Sequence, residues 1–274
     1  HYSSRRQRQM CIRDRKIPIP RGKMTGGSSS INGMVYVRGQ SLDYDTWAQH
    51  GNKGWSWNEV SKVFHKMEGY QNVSDGYRGI NGPLKISELA DDNPLYTALL
   101  KSALSLGYPI NKDYNGVNQE GIAKIQATIL NGRRMSTDHC YLKPAIKRKN
   151  LSIITEAKTE ELIIHNKKCI GVVYKKNNKK YKVMCNKEVI LSAGAIGSPQ
   201  ILELSGIGNP DLLIKKGIEV KHALNAVGEN FQDHFMARLQ WKLKDKKASY
   251  NYKGRGANKF AEMIKYFITR KGFF

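Results

Sequence analysis

Two glycine-rich stretches, Gly22-Lys-Met-Thr-Gly-Gly-Ser-Ser-Ser-Ile-Asn-Gly33 and Ser192-Ala-Gly-Ala-Ile-Gly-Ser-Pro-Gln-Ile-Leu-Glu-Leu-Ser-Gly-Ile-Gly208, constrain this chain more than any other feature. Neither composition suits a packed core or a plain connecting turn. A run such as Gly26-Gly27-Ser28-Ser29-Ser30 gathers unshielded N–H donors and small hydroxyls, and residues without Cβ let the backbone approach a bound group closely. Phosphate oxygens are the usual partners of such a platform. The second stretch continues Glu188-Val-Ile-Leu-Ser-Ala-Gly194, an apolar run expected to be a strand buried on both faces. Ser198-Pro199 should then cap a short helix through Ile201, Leu202 and Leu204, ended by Gly206. Strand, glycine turn and helix in this order is how α/β sheets present ligands at the carboxyl ends of their strands.

Two amphipathic helices are legible from their ends. Ser56-Trp-Asn-Glu59 has the capping-box form, with Val60, Val63, Phe64 and Met67 on one face. Asn93-Pro94 opens a second helix, expected to bury Leu95, Ala98, Leu99 and Leu106 before Gly107 stops it. Between Leu151 and Ser192 the pattern turns to short β-rich runs, 151–155, 162–164, 170–174, 181–185 and 189–191, with a hairpin at Asn177-Asn178.

A chain of 274 residues can bury a sizeable core and exceeds the usual size of one domain. No apolar run reaches the ~20 residues that span a bilayer, so the expected location is cytoplasmic, at most peripheral to the inner membrane. The net charge of +23 raises nucleic acid as a partner, and a basic nucleic-acid-binding domain is the rival reading from another functional class. The lysines are scattered through segments such as 175–180 and 242–247, which suits a solvated face instead, and no nucleic acid is expected. The four cysteines form no C-x-x-C pair and no zinc spacing, so no metal is expected.

Taken together the two stretches resemble the signatures of the glucose-methanol-choline (GMC) family of flavin-dependent oxidoreductases. Gly194-Ala-x-x-Ser198-Pro199-x-Ile201-Leu202-x-x-Ser205-Gly206-Ile-Gly208 matches the second at each defining position. Gly26 to Gly39 matches the first, with Thr25 where an aliphatic residue is usual. Asp45-x-Trp47, Gly54-Trp55-Ser-Trp57, Asp113-Tyr-Asn-Gly116, Gly132-Arg-Arg-x-Ser136-Thr137 and Val227 to His234 are similar to further family landmarks. The resemblance runs from about Pro20 to Phe274 and is nearest the choline dehydrogenase and bacterial alcohol dehydrogenase branch.

The resemblance implies an α/β fold: an FAD-binding Rossmann-like domain, incomplete here, interleaved with an α+β substrate domain. It places residues 17–79 and 131–234 in the first, and 80–130 and 235–274 in the second, leaving 1–16 as an unassigned basic leader. FAD is the implied cofactor. Carried over by motif position, Ser28, Asn32, Gly33, Met34 and Val35 would contact it, and Thr159 would meet the adenine through its main chain. The implied reaction is oxidation of a primary alcohol, choline favoured, to an aldehyde. Hydride would pass to flavin, and a quinone, another acceptor or oxygen would take the electrons; another aliphatic alcohol or a sugar is the alternative substrate.

No G-x-G-x-x-G unit precedes Arg21, and the family's catalytic histidine is expected beyond Phe274. The chain therefore reads as an internal portion of a flavoenzyme, with no catalytic residue of its own and no activity alone. His234, after Gln232-Asp233, looks triad-like but has no activated nucleophile beside it and reads as structural or flavin-adjacent. Ser136-Thr137-Asp138-His139 reads as local capping.

Overall fold

The computed structural model describes residues 8–12, 15–72, 76–89, 93–234 and 240–270. Residues 1–7 and 13–14 of the basic leader, and Phe235, where the last segment was expected to begin, lie outside them. Two units pack separately: His1–Leu151 with Trp241–Phe274, and Ser152–Gln240.

In the first unit β1 (Arg8–Ile12) and β2 (Arg15–Ile19) pair antiparallel and lead into the glycine-rich loop. After the loop, α1 (Ser41–Gln49) starts under a Gln40/Asp43 capping box, and α2 (Trp57–Met67) under the expected Ser56/Glu59 box. The chain leaves α2 directly as β3 (Glu68–Tyr70), which pairs parallel with β4 (Leu84–Glu88). Helix α3 (Pro94–Ser105) begins where the sequence indicates: the Asn93 side chain accepts the Leu95 N–H at 2.9 Å, and Pro94 occupies the first turn. Strand β5 (Gln126–Ala127) completes a β3-β4-β5 sheet. Next, β6 (Ile129–Leu130) and β7 (Arg133–Arg134) form a hairpin across Asn131-Gly132, whose φ values of 50° and 68° are those of a primed turn. A π turn over Asp138–Leu142 runs into the short α4 (Lys143–Ala145), with His139 N–H on the Ser136 hydroxyl at 3.3 Å, the local capping expected there.

The second unit is a three-stranded antiparallel sheet, β8 (Lys158–His165), β9 (Lys168–Lys176) and β10 (Lys179–Met184), covered by α5 (Gly194–Leu204). Asn177 and Asn178, with φ of 49° and 62°, make the β9–β10 hairpin as the sequence indicates. Ser205, 1% exposed, joins helix to sheet: its hydroxyl accepts the Leu162 N–H at 2.8 Å and donates to the Ile201 carbonyl. Strands β11 (Ile207–Gly208) and β12 (His222–Ala223) pair parallel around α6 (Pro210–Lys215). The core here is Leu162, Val173, Ile201 and Leu213. Back in the first unit, α7 (Tyr250–Lys253) precedes α8 (Gly256–Thr269), whose Tyr266 hydroxyl donates to Gly132 O at 2.8 Å.

Several expectations change. The 188–194 run joins no ladder among the described residues, and Ile190 is 80% exposed. A strand buried on both faces needs neighbours on both edges, and apolar composition alone does not supply them. Helix α5 starts at Gly194, not after Ser198; Pro199 lies inside it, and the Ser198 hydroxyl accepts the Ala193 N–H at 3.0 Å. Residues 151–155 are irregular and exposed. Leu95, Ala98, Leu99 and Leu106 are exposed, whereas Ala103 is the buried residue of α3. A 3.6-residue period says which side chains share a face and not what covers it.

The first unit's core is unusually polar. Arg38, Glu68, Arg78, Asn115 and Gln126 are all at most 4% exposed. Arg38 Nε donates to Glu68 Oε1 at 2.6 Å, and Arg78 Nε to Glu68 Oε2 at 2.8 Å, while Tyr36 also donates its hydroxyl to that carboxylate. Arg78 Nη1 reaches Asp113 Oδ1 at 2.8 Å, so two guanidinium charges face two carboxylates. Rings close the network: Arg78 stacks 4.3 Å from the Tyr70 centroid and Arg38 5.2 Å from Phe64. Phe64 in turn belongs to an aromatic cluster with Tyr44, Trp47 and Trp57, centroids 5.4 to 6.3 Å apart, that seats α1 on α2.

Burial opposes ionisation of Glu68, but hydrogen bonds from Arg38, Tyr36 and Arg78 outweigh it and hold the carboxyl below its usual range. Burial also pushes up the Tyr36 phenol, with Glu68 adding to it, and pushes Tyr70 up to about 12. A carboxyl with a lowered folded pKa stabilises the fold above its unfolded value of about 4.3, and that contribution is lost as pH falls through the folded value. Acid titration followed by far-UV circular dichroism should therefore show a transition below about pH 4 in the wild-type protein. Glu68→Gln should lower stability at neutral pH by about 3–5 kcal/mol, because Arg38 and Arg78 stay buried and charged, and should flatten the acid dependence. A neutral-pH stability equal to wild type would count against this account.

Candidate cofactor site

The segment from Pro20 to Gly39 is held against the first unit by one side and open on the other. Gly22 and Gly26 face protein: a Cβ on Gly22 would lie 2.0 Å from Gly27 O, and one on Gly26, at φ 82°, 2.5 Å from Ser30 Oγ and 3.0 Å from Asp138 Cβ. These glycines exist for close packing and backbone sign. A 3₁₀ turn over Gly27–Ser30 follows, with Ile31 and Asn32 N–H groups both donating to Ser28 O, at 3.1 and 2.9 Å. The Ser28 hydroxyl accepts the Gly22 N–H at 3.2 Å.

The loop is clamped from outside its own sequence. Thr137 N–H donates to Ser29 Oγ at 3.0 Å and the Thr137 hydroxyl to Gly26 O at 3.2 Å. Arg134 Nη1 lies 2.7 Å from Asn32 O, 2.7 Å from Asn32 Oδ1 and 3.2 Å from Ser29 O. Both residues belong to the 132–137 landmark, and nothing in its residue types announced that it would grip the first signature. Asn32 Oδ1 also accepts the Met34 N–H at 3.1 Å, closing a side-chain turn with Met34 at φ 63°. A left-handed non-glycine residue costs about 1–2 kcal/mol, which charge-assisted hydrogen bonds of about 1.5–3 kcal/mol offset.

Beyond this turn the backbone is extended and its side chains alternate. Tyr36 and Arg38 point into the polar core, while Val35 and Val37 stand 55% and 62% exposed. Tyr36 N–H donates to Gln126 O at 2.9 Å, Thr128 N–H to Met34 O at 2.9 Å, and Arg38 N–H to Asn115 Oδ1 at 2.6 Å. Asn115 Nδ2 and the Tyr114 hydroxyl both donate to Tyr36 O, at 3.0 and 2.9 Å. The 113–116 landmark is thus the far anchor of the same segment. Its role depends on contacts about eighty positions apart in the chain, which spacing does not display.

Of the expected contact residues, Ser28, Asn32, Gly33, Met34 and Val35 are brought together on this loop, while Thr159 belongs to the second unit. The amides of Asn32 and Met34 are spent inside the loop. Those of Gly33 and Val35 have no hydrogen-bond acceptor among the described residues, and a Cβ on Gly33 would meet nothing within 4 Å. Gly33 has no positive φ either, so neither packing nor backbone sign calls for glycine there. Thr159 pairs with Tyr174 in β8 beside a register shift. Ala193 and Gly194 are exposed, and Gly194 has φ 85°. His234 is exposed, its N–H bound to Asp233 Oδ1 at 2.8 Å, and no catalytic set surrounds it among the described residues.

An isoalloxazine–dinucleotide fits these residues: two unspent amides on either side of Met34, one of them on the bare Gly33, and adjoining apolar side chains at Met34, Val35 and Val37. No cluster of His, Cys, Asp or Glu among the described residues could hold a metal ion. No helix of the described residues is long and apolar enough to cross a membrane.

The oxygen-dependent choline dehydrogenase of Photobacterium profundum is 45% identical over 229 residues, which cover 83% of this chain and 40% of that protein. Mitochondrial choline dehydrogenase of Homo sapiens is 43% identical over 221 residues, 81% of this chain and 37% of its own length. The chain thus spans about two fifths of these relatives. Among solved structures, an FAD-dependent oxidoreductase from Chaetomium thermophilum superposes with a TM-score of 0.83 at 28% identity, covering 94% of this chain and 48% of that one. This likeness bears out the mixed α/β class. The family description GMC oxidoreductase matches residues 7–236, and the chain belongs to that family.

Proposed function

We propose that the protein carrying this chain is an FAD-dependent oxidoreductase acting on CH–OH donors, with choline as the favoured substrate and an aldehyde as product. The observation that carries this reading is Gly33, exposed with its own amide unspent and called for by neither packing nor backbone sign among the described residues. Residues Gly33 and Val35 would donate N–H groups to the cofactor, Met34 and Val35 would lie along its ring, and Ser28 and Asn32 would shape the loop. Thr159 would meet the adenine through its main chain. Bound FAD would supply the hydride acceptor for the carbinol carbon of the alcohol. This chain's residues bind and orient; a quinone, another acceptor or oxygen would take the electrons.

Under the same reading residues 17–79 and 131–234 serve the cofactor and 80–130 and 235–274 the substrate. The β3–β4 pairing joins residues on the two sides of the 79–80 junction in one sheet. A cytoplasmic location, at most peripheral to the inner membrane, belongs to this proposal and is checked by cell fractionation.

Purified gently, the full-length polypeptide should be yellow and should release FAD on denaturation. It should reduce an artificial acceptor with choline faster than with aliphatic alcohols or glucose; a preference for either of those would transfer the assignment to the alternative substrate class. A colourless protein that takes up no added FAD would defeat the proposal.

The two kinds of glycine separate by mutation. Gly26→Ala should destabilise the fold by more than about 1 kcal/mol, since it adds both a left-handed penalty and an overlap. Gly33→Val should leave the melting temperature near wild type and raise the dissociation constant for FAD at least ten-fold. Thermal melts and flavin titration of the same two variants read both outcomes.

A further inference from the structure

We propose that Arg134 is a positioning residue for the cofactor, acting through Asn32 without touching the flavin; this rests on the flavin reading above. Arg134 projects from β7, whose place is set by the Asn131-Gly132 hairpin, and one guanidinium nitrogen reaches three oxygens of the loop. Two of these are carbonyls, Ser29 O and Asn32 O. These contacts commit both carbonyls to Arg134, while the amides of Gly33 and Val35 keep no acceptor among the described residues. The third, Asn32 Oδ1, is shared with the Met34 N–H. The Asn32 side chain thereby couples the guanidinium to the left-handed conformation of Met34, the residue between the two outward donors.

Without Arg134 the carbonyls of Ser29 and Asn32 lose their charged partner, and Asn32 loses the contact that fixes its side chain. The loop would then sample conformations with carbonyls on the cofactor face, and affinity would fall by the fraction of loop left competent. All three contacts converge on the single nitrogen Nη1, so this geometry uses the reach and fixed placement of that nitrogen, which the shorter, more mobile ammonium stem of lysine does not reproduce. Arg133, the neighbouring residue, is exposed on the other side of the same strand and makes no such contact, so it serves as a control.

The test uses the full-length polypeptide, with flavin content, FAD dissociation constant, visible absorption bands and thermal melting measured for R134K, R134Q, N32A, R134Q/N32A and R133Q. Wild-type uptake of FAD tests the functional reading by itself; the variants test Arg134 only against that baseline. The expected result is a ten-fold or greater rise in dissociation constant for both R134K and R134Q, shifted bands in the flavin that remains, and wild-type behaviour for R133Q. Adding N32A to R134Q should weaken binding by less than N32A does alone. Wild-type affinity in R134K would show that charge suffices and overturn the proposal, as would fully additive losses. Should R134Q fail to fold, R134K and N32A decide: similar losses with matching spectral shifts support the coupling, and an unaltered N32A overturns it.

Discussion

The carboxylate of Glu68, gripped by Arg38 and Arg78 in the first unit, is the interaction on which the rest of that unit depends. Burying three charges is costly, and only full hydrogen bonding makes it tolerable. Each partner of the carboxylate also brings in a separate piece of chain: Arg38 the end of the glycine-rich segment, Arg78 the connection between β3 and β4, and, through Asp113 and Gln126, the loop before β5 and β5 itself. An apolar core would have joined these pieces with less directional preference. Oriented hydrogen bonds instead fix the register of the segment from Val35 to Arg38, and so which of its side chains face outward.

The two glycine-rich signatures are put to different uses. In the second, Ser205 and Gly206 are consumed by packing: the serine ties helix to sheet, and a Cβ on Gly206 would sit 2.4 Å from Glu219 O. In the first, Gly22 and Gly26 are likewise consumed, Gly27 has open space but a φ of 53° that favours glycine, and Gly33 is the one of these four that neither packing nor backbone sign calls for. Motif resemblance treats all these glycines alike. Asking what a Cβ would meet, together with the sign of φ, separates those that serve the fold from the one open to a ligand.

Local chemistry was legible wherever the deciding atoms lie within a few residues. The Ser56/Glu59 box, the Asn93-Pro94 start and the Asn177-Asn178 hairpin are closed by side chains or dihedrals of the same short segment. The 188–194 run and the apolar face of α3 misled because burial is a property of neighbours, which periodicity does not supply. The polar core and the Arg134 clamp escaped for the same reason: Arg38 meets Asn115, and Arg134 meets Asn32, across long stretches of chain. Resemblance did mark 113–116 and 132–137 as significant. It could not say that both grip one loop.

That loop is pinned at both ends and bare in the middle, and the arrangement has an energetic logic. A flexible glycine-rich segment would give up backbone entropy on gathering its donors around a ligand, about 1–2 kcal/mol for each residue fixed. Here the fixing is done in advance, by Thr137 and Arg134 behind the 3₁₀ turn and by Asn115, Tyr114 and Glu68 behind the extended part. The flexibility that glycine brings to the sequence is therefore removed by partners from elsewhere in the chain, while its missing side chain remains. What is left at Gly33 is space with a defined edge, and a preorganised edge of this kind lets binding free energy go into affinity for the ligand and not into ordering the protein.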